Sequence, residues 1–295
     1  MMKLDLTGKN AFVTGVADDG GFGWAIAKSL QAAGANVYLA SHPRVLGIVK
    51  RILERDKNAE SRKLPYGAEG ELAPKALIGC DVEFDTAEDI PAERREVKGY
   101  REEDVSIAGA FAKYAELSGN APLDILIHAV AFSPEIQKSH LETSRAAYLL
   151  AHSVSSYSLI AMTRAALPYM ADRDASVVGL SYLAANRVTP GYGGGMAAAK
   201  ASLECDSRTL AWFVGEKGVR VNLISAGPFP SRAARSIGDM DEMVSATAAQ
   251  SPLRRPISAE DVADATLFLC SDLSRNITGE VLYVDAGFHA MSPAF

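Results

Sequence analysis

Apolar residues fall in short runs along the chain, and most runs are followed by a stretch with helical spacing. Residues 10–14 read as a buried strand, and residues 23–33 repeat small and apolar side chains at helical spacing up to Gly34, a helix terminator. Further strand-like runs cover residues 36–40, 75–80, 123–129, 176–180, 219–224 and 280–284. Strands separated by helices return to the same sheet through crossovers and therefore run parallel. The pattern predicts an α/β fold built as one doubly wound parallel sheet of about seven strands with helices on both faces. Two stretches break the rhythm: residues 55–74, and residues 83–103, which are rich in Glu, Asp and Arg. Both read as solvated surface insertions. No linker divides the chain, so residues 1–295 read as a single domain.

Composition supports a large core, with 48% hydrophobic and 22% charged residues. A formal charge of -6 argues against a nucleic-acid binder, which needs a basic stripe. Cys80, Cys205 and Cys270 lie far apart and form no metal-type cluster, so they read as buried thiols of a reducing compartment, with no metal site. No apolar run reaches the roughly 18 residues of a membrane span, and no signal-type segment precedes the first strand. A cytoplasmic protein with no membrane partner is expected; a mature plastid protein fits equally.

The first strand leads into Gly15-Val16-Ala17-Asp18-Asp19-Gly20-Gly21-Phe22-Gly23 and then a helix. Glycines in such a turn let the backbone approach a diphosphate, whose charge the free amides of the helix favour. Asp18 and Asp19 would repel that charge, so they read as turn and capping groups aimed at backbone amides. The second strand ends in Ala40-Ser41-His42-Pro43-Arg44, without the acidic residue that commonly holds the adenosine ribose. Asp81, after the third strand, lies where an adenine amino group is met, or is a plain loop cap. Ala129 and Val130 end the fourth strand with small side chains that leave room for a ribose and nicotinamide. His128 beside them reads as a hydrogen-bonded core residue.

The segment from Leu180 to Lys200 is the most informative. The common Tyr-x3-Lys arrangement, which puts phenol and ammonium on one helical face, is absent, because Met196 stands four residues before Lys200. The nearest preceding tyrosine is Tyr192. On a continuous helix eight residues give about 12 Å of rise and about 80° of rotation, which separates the two groups. Gly191 and the run Gly193-Gly194-Gly195 allow a non-helical spacer, with a helix starting near Met196 and Lys200 one turn in.

With Ser181-Tyr182, Pro190-Gly191-Tyr192, Lys200-Ala201-Ser202-Leu203-Glu204 and Val221-Asn222-Leu223-Ile224-Ser225-Ala226-Gly227-Pro228, the chain resembles the enoyl-acyl carrier protein reductases, a divergent branch of the short-chain dehydrogenases. The longer spacer, the triple glycine and the insertion near Pro91 resemble the plastid-type branch. The resemblance implies a Rossmann sheet, NADH as cofactor, and reduction of a trans-2-enoyl thioester on acyl carrier protein. It implies Tyr192, Lys200 and Tyr182 as the catalytic residues. Tyr192 would donate to the enolate oxygen and Lys200 would hold the nicotinamide ribose, while Tyr182 would line the substrate. Cofactor contacts are implied at Gly15, Gly21, Phe22, His42, Asp81, Val82, Ala129 and Val130, and from Phe229, Pro230, Ser231 and Ala233 after the sixth strand. Substrate contacts are implied at Ser133, Ile237 and Met240 as well as Tyr182. Residues 229–250 carry the apolar stripe Ala234, Ile237, Met240 and Val244, which suits a mobile substrate lid. A homotetramer is implied, and an acidic carrier protein would dock on a local basic patch despite the net charge.

Two rival readings share the same sheet: a short-chain dehydrogenase acting on a ketone or sugar, and a non-catalytic dinucleotide-binding regulator. The missing Tyr-x3-Lys speaks against the first, and the retained Tyr192 and Lys200 against the second.

Overall fold

The computed structural model describes residues 4–231 and 240–292. Seven parallel strands form one sheet: β1 (Asn10–Val13), β2 (Asn36–Ser41), β3 (Ala76–Gly79), β4 (Ile125–His128), β5 (Ala175–Tyr182), β6 (Val219–Ala226) and β7 (Val281–Val284). Their order is β3-β2-β1-β4-β5-β6-β7. The chain starts in the middle, steps outward to β3, then crosses back to β4 and continues to the far edge. That reversal opens a crevice at the carboxyl ends of β1 and β4, the switch point where doubly wound sheets bind ligands.

The helices are α1 (Phe22–Ala32), α2 (Pro43–Glu54), the short α3 (Ala59–Arg62) and α4 (Ala92–Arg95), α5 (Ile107–Ser118), α6 (Arg145–His152), α7 (Ser158–Met170), α8 (Met196–Gly215), α9 (Met240–Gln250) and α10 (Ala259–Cys270). A π-turn at Ser153–Tyr157 joins α6 to α7. β4 shows how one strand serves two layers. Ile125 and Ile127 face the cluster around Trp24, Leu30 and Val262 of α1 and α10. Leu126 faces the opposite one, with Phe111, Leu159 and Leu203 of α5, α7 and α8. Side chains alternate across a strand, so apolar residues at every position require cover on both faces. Each fully buried Ile or Leu contributes about 1.5–3 kcal/mol.

β5 and β6 run two residues further than their apolar pattern predicts, with Ser181 paired to Ser225 and Tyr182 to Ala226. Polar side chains at the strand ends hide this extension, which carries Tyr182 to the sheet edge.

The two insertions lie largely at the surface, as expected from their composition, but each is anchored by a few buried residues. In the first, Ser61 O accepts a 2.9 Å hydrogen bond from the Trp24 indole, and Arg62 is buried, donating to Ile52 O and Arg55 O at the end of α2. In the second, Phe84, Ile90 and Tyr100 form a small core with Val105. Single apolar residues among many charges carry no period, so the sequence conceals these anchors. Cys80 and Cys270 are buried and unpaired, but Cys205 is exposed on α8, against the expectation of three buried thiols.

Candidate active site

The crevice is built first from the turn after β1. Gly15 has φ +74°, and a Cβ there would lie 2.1 Å from Ala129 O, so only glycine lets the turn press against the end of β4. This brings Gly15, Ala129 and Val130 together. Asp18 accepts from Gly20 N at 3.0 Å, and Asp19 accepts from Asn58 Nδ2 at 3.3 Å. Asp18 thus caps the turn through a backbone amide as expected, whereas Asp19 meets a side-chain amide of the first insertion instead. α1 starts from Gly21 with no side-chain cap and no acidic residue in its first turn. Its leading amides therefore face the crevice without a side-chain acceptor, an arrangement that fits an anionic diphosphate. The Phe22 ring lies 4.9 Å from that of Phe229, which draws the loop after β6, with Pro230 and Ser231, against the same turn. Ala233 and Ile237 lie outside the described residues, as does Ala234 of the predicted stripe.

At the end of β3, Asp81 and Val82 are buried. Tyr100 donates to Asp81 at 2.6 Å, His42 Nε2 lies 3.4 Å from the same carboxylate, and Arg94 bridges it at 3.5 Å to Glu83 at 2.8 Å. Burial pushes the Asp81 carboxyl up, but the hydrogen bonds from His42 and Tyr100 outweigh it and hold it below the usual range. His42 also caps α2, its Nδ1 accepting from Arg44 N. Tyr100 and Arg94 come from the second insertion and had no signal in the sequence.

The third part is the pair of tyrosines and the lysine. Tyr182 at the end of β5 and Tyr192 beyond it have ring centroids 4.9 Å apart, inclined at 57°. Lys200 sits one turn into α8, which starts at Met196 as expected. It is buried, and its Nζ donates to Leu180 O at 2.6 Å. Burial pulls its pKa down to about 8, against the opposing charge of Glu204. Burial and the neighbouring Tyr182 push the Tyr192 phenol up, so it keeps its proton and can donate.

The glycine run joining them is clamped by the loop after β4. Gly193 N and Gly194 N donate to Ile136 O and Lys138 O, and Gly194 and Gly195 have φ +60° and +81°. Ser133, expected to line the substrate, is instead buried beneath this run. Its hydroxyl donates to Gly194 O at 2.7 Å and accepts from Glu135 N at 3.3 Å. Met240 is buried at the start of α9, and Tyr182 donates to Met243 Sδ of the same helix at 3.8 Å. α9 thus packs against Tyr182.

His128 bonds through Nε2 to Ser158 Oγ at 2.7 Å, and burial, with a smaller push from Lys200, takes its ring down to about 3. It is a neutral core residue, as its apolar strand implied. Glu204, Ser181 and Asn186 carry no signal of their own in the sequence. Their hydrogen-bonded cluster beside Lys200 is a tertiary feature whose only sequence trace is a carboxylate four residues after the lysine.

A sheet of this order, with an uncapped glycine turn at its switch point and a tyrosine and lysine at its carboxyl edge, defines a dinucleotide-dependent reductase of the short-chain dehydrogenase class. The profile of the family described as enoyl-(acyl carrier protein) reductase matches residues 84–289. The chain is 43% identical to the chloroplastic enoyl-acyl-carrier-protein reductase (NADH) of Arabidopsis thaliana, over 99% of this chain and 74% of that protein. It is 37% identical to the corresponding reductase of Aquifex aeolicus, over 97% of this chain and 93% of that one. The crystal structure of the Plasmodium berghei enoyl-acyl-carrier-protein reductase with triclosan superposes with a TM-score of 0.90 at 35% identity, covering 96% of this chain and 98% of that one. That of Anaplasma phagocytophilum in complex with NAD gives 0.78 at 33%, covering 99% and 97%. The chain belongs to the enoyl-acyl-carrier-protein reductase family.

Proposed function

We propose that this protein reduces the C2=C3 double bond of a trans-2-enoyl thioester carried on acyl carrier protein, using NADH, the last reductive step of type II fatty-acid elongation. The observation that carries the reading is the packing of Tyr182 on Tyr192 above an α8 that starts late enough to bury Lys200 one turn in. That arrangement replaces Tyr-x3-Lys, and the family membership fits it.

When bound, NADH supplies the hydride that adds to C3. Negative charge then gathers on the thioester oxygen, and the Tyr192 hydroxyl donates a hydrogen bond to it. Such a donor is most effective where water is excluded. Lys200 holds the nicotinamide ribose and offsets the developing charge. Tyr182 lines the thioester pocket, and Met240 covers it. A proton taken up at C2 from solvent water completes the product, so that one hydride from NADH and one proton are added across the double bond. The amides opening α1 from Gly21 and Phe22 receive the diphosphate. His42, Asp81 and Val82 hold the adenosine side, while Ala129, Val130, Phe229, Pro230 and Ser231 frame the nicotinamide.

Purified protein with NADH and a crotonyl thioester, followed by loss of NADH absorbance, tests this reading directly. Turnover of an acetoacetyl thioester instead would overturn it.

We further infer a homotetramer working in the cytoplasm. On α8, Trp212 and Phe213 are 81% and 66% exposed in the single chain, and apolar surface of that size calls for a partner. Among the described residues no helix is long and apolar enough to cross a membrane. Sedimentation of Trp212→Asp, expected to give smaller species than the unaltered protein, checks the assembly.

A further inference from the structure

Lys200 does not stand alone in the core. Glu204 lies four residues on, on the same face of α8, and is also buried, at 4% exposure. Residues at this spacing on a helix are neighbours. One carboxylate oxygen of Glu204 accepts from Ser181 Oγ at 2.7 Å, and the other accepts from Asn186 Nδ2 at 3.0 Å. Both oxygens are taken by donors, which is how an ionised carboxylate is satisfied. Ser181 sits between Leu180, whose carbonyl receives the Lys200 ammonium, and Tyr182, whose ring packs on Tyr192. One buried side chain therefore grips the strand end that supports both functional groups, and also carries the charge opposite to the lysine.

An ammonium withdrawn from water loses its proton readily unless a negative charge accompanies it. The other titratable groups around the pair do not supply that charge. His128 on β4 is held neutral by burial, and Tyr182 and Tyr192 keep their protons. Tyr283 on β7 shares Asn186 with Glu204, at 3.2 Å, and its phenol is likewise raised; Arg187, near it, is a cation.

We propose that Glu204 is a positioning residue that keeps Lys200 in its ammonium form and fixes the end of β5 beneath it. The inference rests on the role given to Lys200 above, as the group that holds the cofactor ribose.

The test is the pH dependence of NADH binding, followed by cofactor fluorescence, and of enoyl turnover in the holoenzyme. In the unaltered protein both fall as pH rises through about 8, where Lys200 loses its proton. Glu204→Gln should move this alkaline limb down by about one pH unit, lowering activity at pH 7.5 about threefold with recovery near pH 6. Glu204→Asp should restore the limb toward its original position. A Glu204→Gln protein whose limb coincides with that of the unaltered protein would overturn the proposal. A purely structural role predicts a loss that is equal at every pH. Should Glu204→Gln not fold, the Lys200 Nζ resonance, assigned through Lys200→Met and titrated by NMR in the unaltered protein, decides. Titration at or above about 8 supports the proposal, and titration below 7 sinks it. Failure to reduce crotonyl thioester with these titrations intact would count against the enoyl reading alone.

Discussion

Ser133 Oγ donates to Gly194 O across 2.7 Å, tying the loop after β4 to a glycine run that lies far away in sequence. This bond, with those from Gly193 N and Gly194 N to Ile136 O and Lys138 O, lets a chain with seven residues between tyrosine and lysine close a site that others close with one helical turn. A Cβ at Gly194 would come within 2.4 Å of Ser133 Oγ and 2.5 Å of Glu135 C, in addition to the cost of its positive φ.

Gly194→Ala should therefore lower stability by about 1–3 kcal/mol, as overpacking does, and reduce turnover more than it reduces NADH binding. Urea unfolding and steady-state kinetics on the same preparation measure both. A variant with unchanged kcat would show that the clamp does not set the position of Tyr192.

Tyr192→Phe removes one hydroxyl and leaves the ring packed on Tyr182. We expect kcat for a crotonyl thioester to fall about 10²–10³-fold, the cost of losing one oxyanion donor, with the melting temperature nearly unchanged. Full activity in this variant would assign the donor to another group.

His128 couples the core to pH. Its pKa is about 3 in the folded chain against an ordinary value of 6.5, so the unfolded chain binds a proton that the folded one refuses. Stability from this group is fully present above pH 6.5 and is lost progressively as pH falls toward 3. In His128→Asn that dependence should flatten between pH 6.5 and 4, read as urea midpoints across the range. A slope matching the unaltered protein would place the acid sensitivity elsewhere.

Tyr100→Phe breaks the 2.6 Å hydrogen bond to Asp81 without altering the small core of Phe84, Ile90 and Val105. NADH should bind about 3–10-fold more weakly, the size of one ordinary hydrogen bond, since the loss reaches the cofactor only through Asp81, with kcat at saturating NADH preserved. Unchanged NADH affinity would detach the second insertion from the adenosine side.

The strands and long helices were legible because apolar period and glycine punctuation are local signals. The parallel sheet, the uncapped turn at Gly21 and the start of α8 near Met196 followed from them. Tyr192 and Lys200 were legible as a pair only because the usual spacing was missing and glycines filled the gap. The insertions were legible as surface segments but their anchors were not, since the buried residues Arg62, Phe84 and Tyr100 are isolated among charges and declare themselves only through partners on other elements.

By itself the sequence determined the α/β sheet, the glycine turn and a tyrosine and lysine held apart by a non-helical spacer, because each is written in neighbouring residues. Tertiary structure alone decided that Ser133 serves the glycine run and that Tyr100 reaches Asp81. It alone set Glu204 against Ser181 and Asn186 beside the buried Lys200. These are contacts between segments far apart along the chain, and a hydrogen bond across such a distance leaves no periodicity for a local pattern to reveal.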